Sequence, residues 1–121
     1  MKYLVVDDSK MARKMTIKNI KEVIINDIEI IEAQNGQEAV DFYKEHSPAL
    51  CFMDLTMPVK DGFEATKEIC EYDDKANIIV ITADIQELAM KKAKENGALG
   101  FINKPIDQTK LKMMLEKLEL I

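Results

Sequence analysis

Short runs of aliphatic residues alternate with longer stretches in which apolar side chains recur every three or four positions. Tyr3-Leu4-Val5-Val6 reads as a buried strand and is followed at once by Asp7-Asp8-Ser9. A helix is predicted from about Lys10 to Val23, with Ala12, Met15, Thr16, Ile20 and Val23 turned inward. Glu29 to Ala33 reads as a second strand. Asn35-Gly36 then turns the chain into a helix ending near His46-Ser47-Pro48. Leu50 to Met53 is a third strand, purely apolar until Asp54, and a helix follows over roughly Phe63 to Tyr72. Ile78 to Ile81 supplies four branched aliphatics in a row. A fourth helix covers about Gln86 to Asn96, with Gly97 placed as its left-handed cap. Leu99 to Ile102 is a short fifth strand. Asp107 caps a last helix whose apolar positions are Leu111, Met114, Leu115 and Leu118.

The order is (βα)5. Apolar strands without alternation are buried on both faces, which requires a parallel sheet between two layers of helices. Such α/β sheets place ligands beyond the carboxyl ends of their strands, where the strand order switches. Strand 1 ends in Asp7-Asp8, strand 3 in Asp54 and strand 4 in Thr82, and Lys104-Pro105 follows strand 5. All of these polar residues are therefore expected on one rim.

A chain of 121 residues suits one domain. With 47% hydrophobic and 32% charged residues it has an ordinary globular balance, which argues against disorder. The net charge is −5, so no basic surface is expected for nucleic acid. The longest apolar run, Ala49 to Met53, is far too short to span a membrane, and Asp7 and Asp8 interrupt the only apolar stretch near the N-terminus. Cys51 and Cys70 sit in apolar contexts and read as buried thiols, which suits a reducing cytoplasm. His46, the only histidine, falls at a helix end and reads as structural. Lys10, Arg13, Lys14, Lys18 and Lys21 read as a solvated face of the first helix. Met11 there is a candidate exposed contact for a partner helix.

Three carboxylates on one rim repel strongly in a partly desolvated cleft. The Lys104 ammonium leaves a charge of about −2 by simple counting. A divalent cation would cancel it, and hard oxygen ligands without His or Cys favour Mg2+ over zinc. An acid at Asp54, between Met53 and Leu55, needs a strong reason to sit at the end of an apolar strand.

These segments resemble the receiver domain of two-component response regulators, the CheY-like family, over essentially the whole chain. The resemblance rests on Tyr3-Leu4-Val5-Val6-Asp7-Asp8-Ser9, on Asp54-Leu55-Thr56-Met57-Pro58-Val59-Lys60-Asp61-Gly62, on Ile81-Thr82-Ala83, and on Gly97-Ala98 through Lys104-Pro105. It implies a flavodoxin-like, doubly wound sheet in the order 2-1-3-4-5. It implies that Asp54 accepts the phosphoryl group, that Asp8, Asp54 and the Thr56 carbonyl bind Mg2+, and that Asp7 assists through a bound water. Thr82 and Lys104 would contact phosphoryl oxygens, and the Lys104-Pro105 bond is expected to be cis. Phe101 occupies an aromatic switch position where many members carry tyrosine. Thr56 and Asp84, each two residues after a site residue, would flank an attacking water and tune dephosphorylation.

The expectation is a stand-alone cytoplasmic receiver over residues 1–121, with no output domain. It would be phosphorylated by a sensor histidine kinase and would bind an output protein through helix 4, strand 5 and helix 5. Its chemistry would be limited to its own phosphorylation and dephosphorylation, so it would not be an enzyme with a turnover substrate. A monomer or weak dimer is expected, with no membrane insertion. The stretch from Asp7 to Lys14, with Lys18-Asn19 following, looks somewhat like chemotaxis CheY proteins. A phosphorelay intermediate or phosphate sink would carry the same site. The enzyme alternative is a Mg2+-dependent aspartyl-phosphate phosphatase of the haloacid-dehalogenase type. That family's nucleophile normally lies on the first strand in Asp-x-Asp, whereas the acids here are adjacent. No glycine-rich phosphate loop follows any strand, so a nucleotide-binding module fits poorly.

Overall fold

The computed structural model describes residues 1–83 and 86–121. Five strands alternate with five helices: β1 (Lys2–Val6), α1 (Lys10–Val23), β2 (Glu29–Ala33), α2 (Gly36–His46), β3 (Leu50–Met53), α3 (Gly62–Tyr72), β4 (Ile78–Thr82), α4 (Glu87–Glu95), β5 (Gly100–Asn103) and α5 (Gln108–Lys117). All neighbouring strands pair in parallel, in the order β2-β1-β3-β4-β5. The alternation of elements predicts the parallel sheet, and this doubly wound flavodoxin-like order is the one the resemblance implies.

The strand pleat sorts the core into two layers. Tyr3, Val5, Leu50, Phe52, Ile79 and Ile81 face α1 and α5, where they meet Ile20, Leu111 and Leu115. Leu4, Val6, Cys51, Met53 and Ile78 face the other way, toward Ala39, Val40, Tyr43, Ala65 and Ile69 of α2 and α3. Leu55, Val80, Ala93 and Ala98 continue that layer under α4, with Phe63 and Phe101 against them. Helix starts follow local chemistry: the side chains of Ser9, Asn35, Asp61 and Asp107 accept from the amides of Ala12, Glu38, Glu64 and Lys110. Gly97 at φ 112° closes α4 in the left-handed conformation, as its position predicts.

Several sequence expectations need correction. β5 starts at Gly100, not Leu99, which is exposed; a Cβ on Gly100 would lie 2.6 Å from Met114 Sδ, so the strand begins where α5 crosses closely. β2 is an edge strand, and Glu29 and Glu32 stay exposed on it. On α1, Met15 is exposed although its spacing points inward, and Asn19 is buried with its amide donating to the Met15 carbonyl at 2.9 Å. Of the two thiols only Cys51 is fully buried; Cys70 is half-buried at the edge of its cluster. His46 closes α2, and Met11 is largely exposed. Among the described residues no helix is long and apolar enough to cross a membrane.

Candidate functional site

The parallel register aligns the ends of β1 and β3, pairing Val6 with Met53, so Asp7 and Asp54 leave neighbouring strands side by side. The Asp54 amide extends the ladder to the Val6 carbonyl at 3.0 Å, and the Asp7 amide does the same to Ala33 at 3.1 Å. Each acid is therefore fixed by sheet hydrogen bonds before its side chain is considered. Asp7 and Asp54 are buried, whereas Asp8 is exposed. One carboxylate oxygen from each of the three lies within 4.8 Å of the others.

Lys104 enters from the end of β5, its amide donating to the Thr82 carbonyl at 2.8 Å. The Lys104–Pro105 bond is cis, as the resemblance implies. Lys104 Nζ donates to Asp7 Oδ2 at 2.8 Å and lies 3.3 Å from Asp54 Oδ1. Thr82 is buried at the end of β4, and Phe101 sits half-buried on β5 opposite Val80. Thr56 is exposed in the loop after β3. Asp84 lies outside the described residues.

The electrostatics follow from this crowding. Burial, then the Asp7 charge, push Asp54 up to about 6, and Lys104 offsets only part of that. Burial also works against the Lys104 ammonium. Its hydrogen bond to Asp7 and the charges of Asp54 and Asp7 outweigh that cost and hold its pKa above the ordinary lysine value.

The donor set suits a small hard cation. All three groups are carboxylates, and ligand atoms around one Mg2+ lie within about 4 Å of each other, close to the spacing here. An acid pushed toward protonation by its neighbours is a group that a cation would return to its ionised form.

The loop after Asp54 is tied down on both sides. The Gly62 amide donates to the Leu55 carbonyl at 2.8 Å, and a Cβ on Gly62 would fall 2.0 Å from the Asp54 carbonyl oxygen. Lys60 pairs with Glu68 at 2.6 Å, and its carbonyl accepts from the Gly36 amide at 2.9 Å.

The basic run on α1 predicts a solvated face, or one that meets an acidic partner, and Arg13 departs from the first of these. Its side chain is only 13% exposed. Nη1 donates to the Asp7 carbonyl at 2.7 Å, and Nε donates to Glu32 Oε1 at 2.9 Å. Within a run of lysines, the one signal was that this position carries an arginine, whose fork can serve two acceptors.

Residues 3–116 match the response regulator receiver domain family. The chemotaxis protein CheY of Halobacterium salinarum is 47% identical over 106 residues, which cover 87% of this chain and 85% of that protein. The chemotaxis protein CheY of Bacillus subtilis is 41% identical over 116 residues, covering 94% and 93%. Among solved structures, the CheX–CheY–BeF3–Mg2+ complex from Borrelia burgdorferi superposes with a TM-score of 0.84 at 31% identity, over 98% of this chain and 89% of that one.

Proposed function

The chain belongs to the response regulator receiver domain family, and on that premise we propose that it takes a phosphoryl group from a sensor histidine kinase onto Asp54 in a Mg2+-dependent reaction. The observation that carries this reading is the placing of Lys104 Nζ 2.8 Å from Asp7 and 3.3 Å from Asp54, two of the three clustered carboxylates. A carboxylate is a weak nucleophile in water, but it attacks phosphorus when held in line and screened from the charge it approaches. The chain's contribution is mostly position and electrostatics.

In this reading an Asp54 carboxylate oxygen attacks the phosphorus of a phosphohistidine. The P–O bond forms as the P–N bond breaks, and the electron pair leaves with the imidazole. Asp8, Asp54 and the Thr56 carbonyl would hold Mg2+, with Asp7 assisting through a bound water. When bound, the ion neutralises the phosphoryl oxygens and the acid cluster together. Lys104 and Thr82 would contact the phosphoryl oxygens. Loss of the group is the reverse demand, attack by water, and Thr56 and Asp84 are the residues proposed to tune it.

The product adds about −2 of charge at the end of β3. Thr82 would move toward it, and Phe101 would turn into the space released beside β4. The surface of α4, β5 and α5 would then favour an output protein that prefers that shape. The CheY relatives support a chemotaxis role, with the chain acting as a cytoplasmic switch and not as an enzyme with a turnover substrate.

The test is incubation with acetyl phosphate, with and without Mg2+, followed by intact mass. One labile phosphoryl group per chain is expected only with Mg2+, and none on Asp54→Asn. Sustained release of phosphate from small phosphomonoesters would instead make the chain a phosphatase.

A further inference from the structure

Asp7 is engaged at every polar atom. Its amide donates to Ala33, its Oδ1 accepts from the Ser9 amide at 3.0 Å, its Oδ2 accepts from Lys104, and its carbonyl accepts from Arg13. Asp8, the next residue, is the exposed member of the acid cluster. What fixes where Asp8 starts is the peptide group joining it to Asp7, and the oxygen of that peptide is the one Arg13 holds.

Arg13 is itself held. Glu32, at the solvent edge of β2, takes its Nε–H, so the guanidinium spans from the edge strand to the β1–α1 loop. The Arg13 amide donates to the Ser9 carbonyl at 3.0 Å, which ties the same loop from the helix side. A planar fork with two donors aimed at two fixed acceptors is a clamp that a flexible ammonium cannot copy.

We propose that Arg13, steadied by Glu32, is a positioning residue that presents Asp8 to the divalent cation. The inference rests on the reading of Asp7, Asp8 and Asp54 as a Mg2+ site. It assigns a role to two residues outside that site. A purely electrostatic account predicts the opposite sign: Arg13 is a cation beside a cation site, so removing its charge should tighten metal binding. Positioning predicts that removing it loosens binding, because the carboxylate is no longer delivered in place.

The test is calorimetric titration of Mg2+ into the full chain and its Arg13→Gln, Arg13→Lys and Glu32→Gln variants, with the Asp8 amide resonance recorded in EDTA. The expected result is about tenfold weaker Mg2+ binding in Arg13→Gln. Glu32→Gln should give a smaller loss in the same direction, and Arg13→Lys should fail to restore the wild-type affinity. The Asp8 amide should shift in all three before any metal is added. Arg13→Lys keeps the charge and gives up only the fork, so it keeps the test alive if Arg13→Gln does not fold: a purely electrostatic account leaves its Mg2+ affinity unchanged, whereas the clamp predicts a loss. A wild-type chain that takes up no Mg2+ overturns the reading of the metal site, and the clamp's purpose with it. A wild-type chain that binds, alongside an Arg13→Gln chain that binds equally well or better, overturns the clamp alone.

Discussion

Lys104 lies closer to Asp7 than to Asp54: its Nζ donates to Asp7 Oδ2 at 2.8 Å, across 97 positions of sequence, and is 3.3 Å from the Asp54 oxygen. The ammonium therefore bridges two acids that would otherwise repel at the ends of adjacent strands. Lys104→Met should lower stability in EDTA at pH 7 by about 1–3 kcal/mol, the range for leaving a buried hydrogen-bonded carboxylate without its donor. Mg2+ should restore much of that loss, because it supplies the missing positive charge. Thermal melts of both chains, with and without Mg2+, check this; equal melting temperatures in EDTA would count against the bridge.

The raised pKa of Asp54 makes a signed prediction. Burial and Asp7 move it from 3.8 to about 6, so the native state holds this proton more tightly than the unfolded chain does. Between about pH 4 and pH 6 the unfolded chain releases the proton first, and Asp54 then opposes folding increasingly as pH rises. Above that window the shift corresponds to roughly 3 kcal/mol, which solvent screening at the cleft reduces to on the order of 2 kcal/mol. Asp54→Asn removes the penalty. In EDTA it should match the wild type near pH 4 and exceed it at pH 7 by about that amount. Urea melts across the range provide the comparison. The gap should narrow when Mg2+ is added to the wild type.

The fold was legible in the sequence because its signals are local and repeated. Ile78 to Ile81 cannot be half-exposed, Asn35-Gly36 turns the chain into α2, and Asp107 sits where a polar side chain can reach an orphan amide. The site was legible because parallel strands bring their carboxyl ends to one rim, so Asp7, Asp54 and Lys104 meet whatever loops intervene. What stayed hidden depends on side-chain direction. Arg13 belongs to a basic run, and beyond its being an arginine nothing local shows that its side chain folds back over the β1–α1 loop. Met15 has inward spacing but faces solvent, and Asn19 is buried in its stead. The Tyr43 hydroxyl reaches Asp73 at 2.7 Å, joining α2 to the end of α3, and nothing in either residue's local sequence announces the other.

Gly62 shows how closely the backbone itself crowds the reactive acid. A Cβ there would lie 2.0 Å from the Asp54 carbonyl oxygen and 2.8 Å from Leu55 Cα, both backbone atoms with no flexible end to yield. Gly62→Ala must push α3 away from β3, at a cost of order 3 kcal/mol typical of overpacking. Because the displaced atom belongs to Asp54, Mg2+ binding and labelling by acetyl phosphate should fall even in molecules that remain folded. A variant with normal labelling and stability would show that the close approach is not needed.

Val59 makes the opposite prediction, a gain. It adopts φ 67° while 83% exposed, and the Lys60 amide donates to the Pro58 carbonyl across it at 2.7 Å, a three-residue turn. A β-branched side chain in the left-handed region is strained by about 1–2 kcal/mol, and its exposure means that little packing repays the strain. Asparagine tolerates that conformation far better. Val59→Asn should therefore raise the urea midpoint by the equivalent of about 1 kcal/mol with the slope unchanged, since the surface exposed on unfolding stays the same. The loop runs on from Asp54 and carries Thr56, so the same variant also asks whether the strain shapes the site. If Mg2+ affinity and labelling hold while stability rises, the strain is local to the turn. If affinity falls as stability rises, the left-handed valine is part of what holds the Thr56 carbonyl in place.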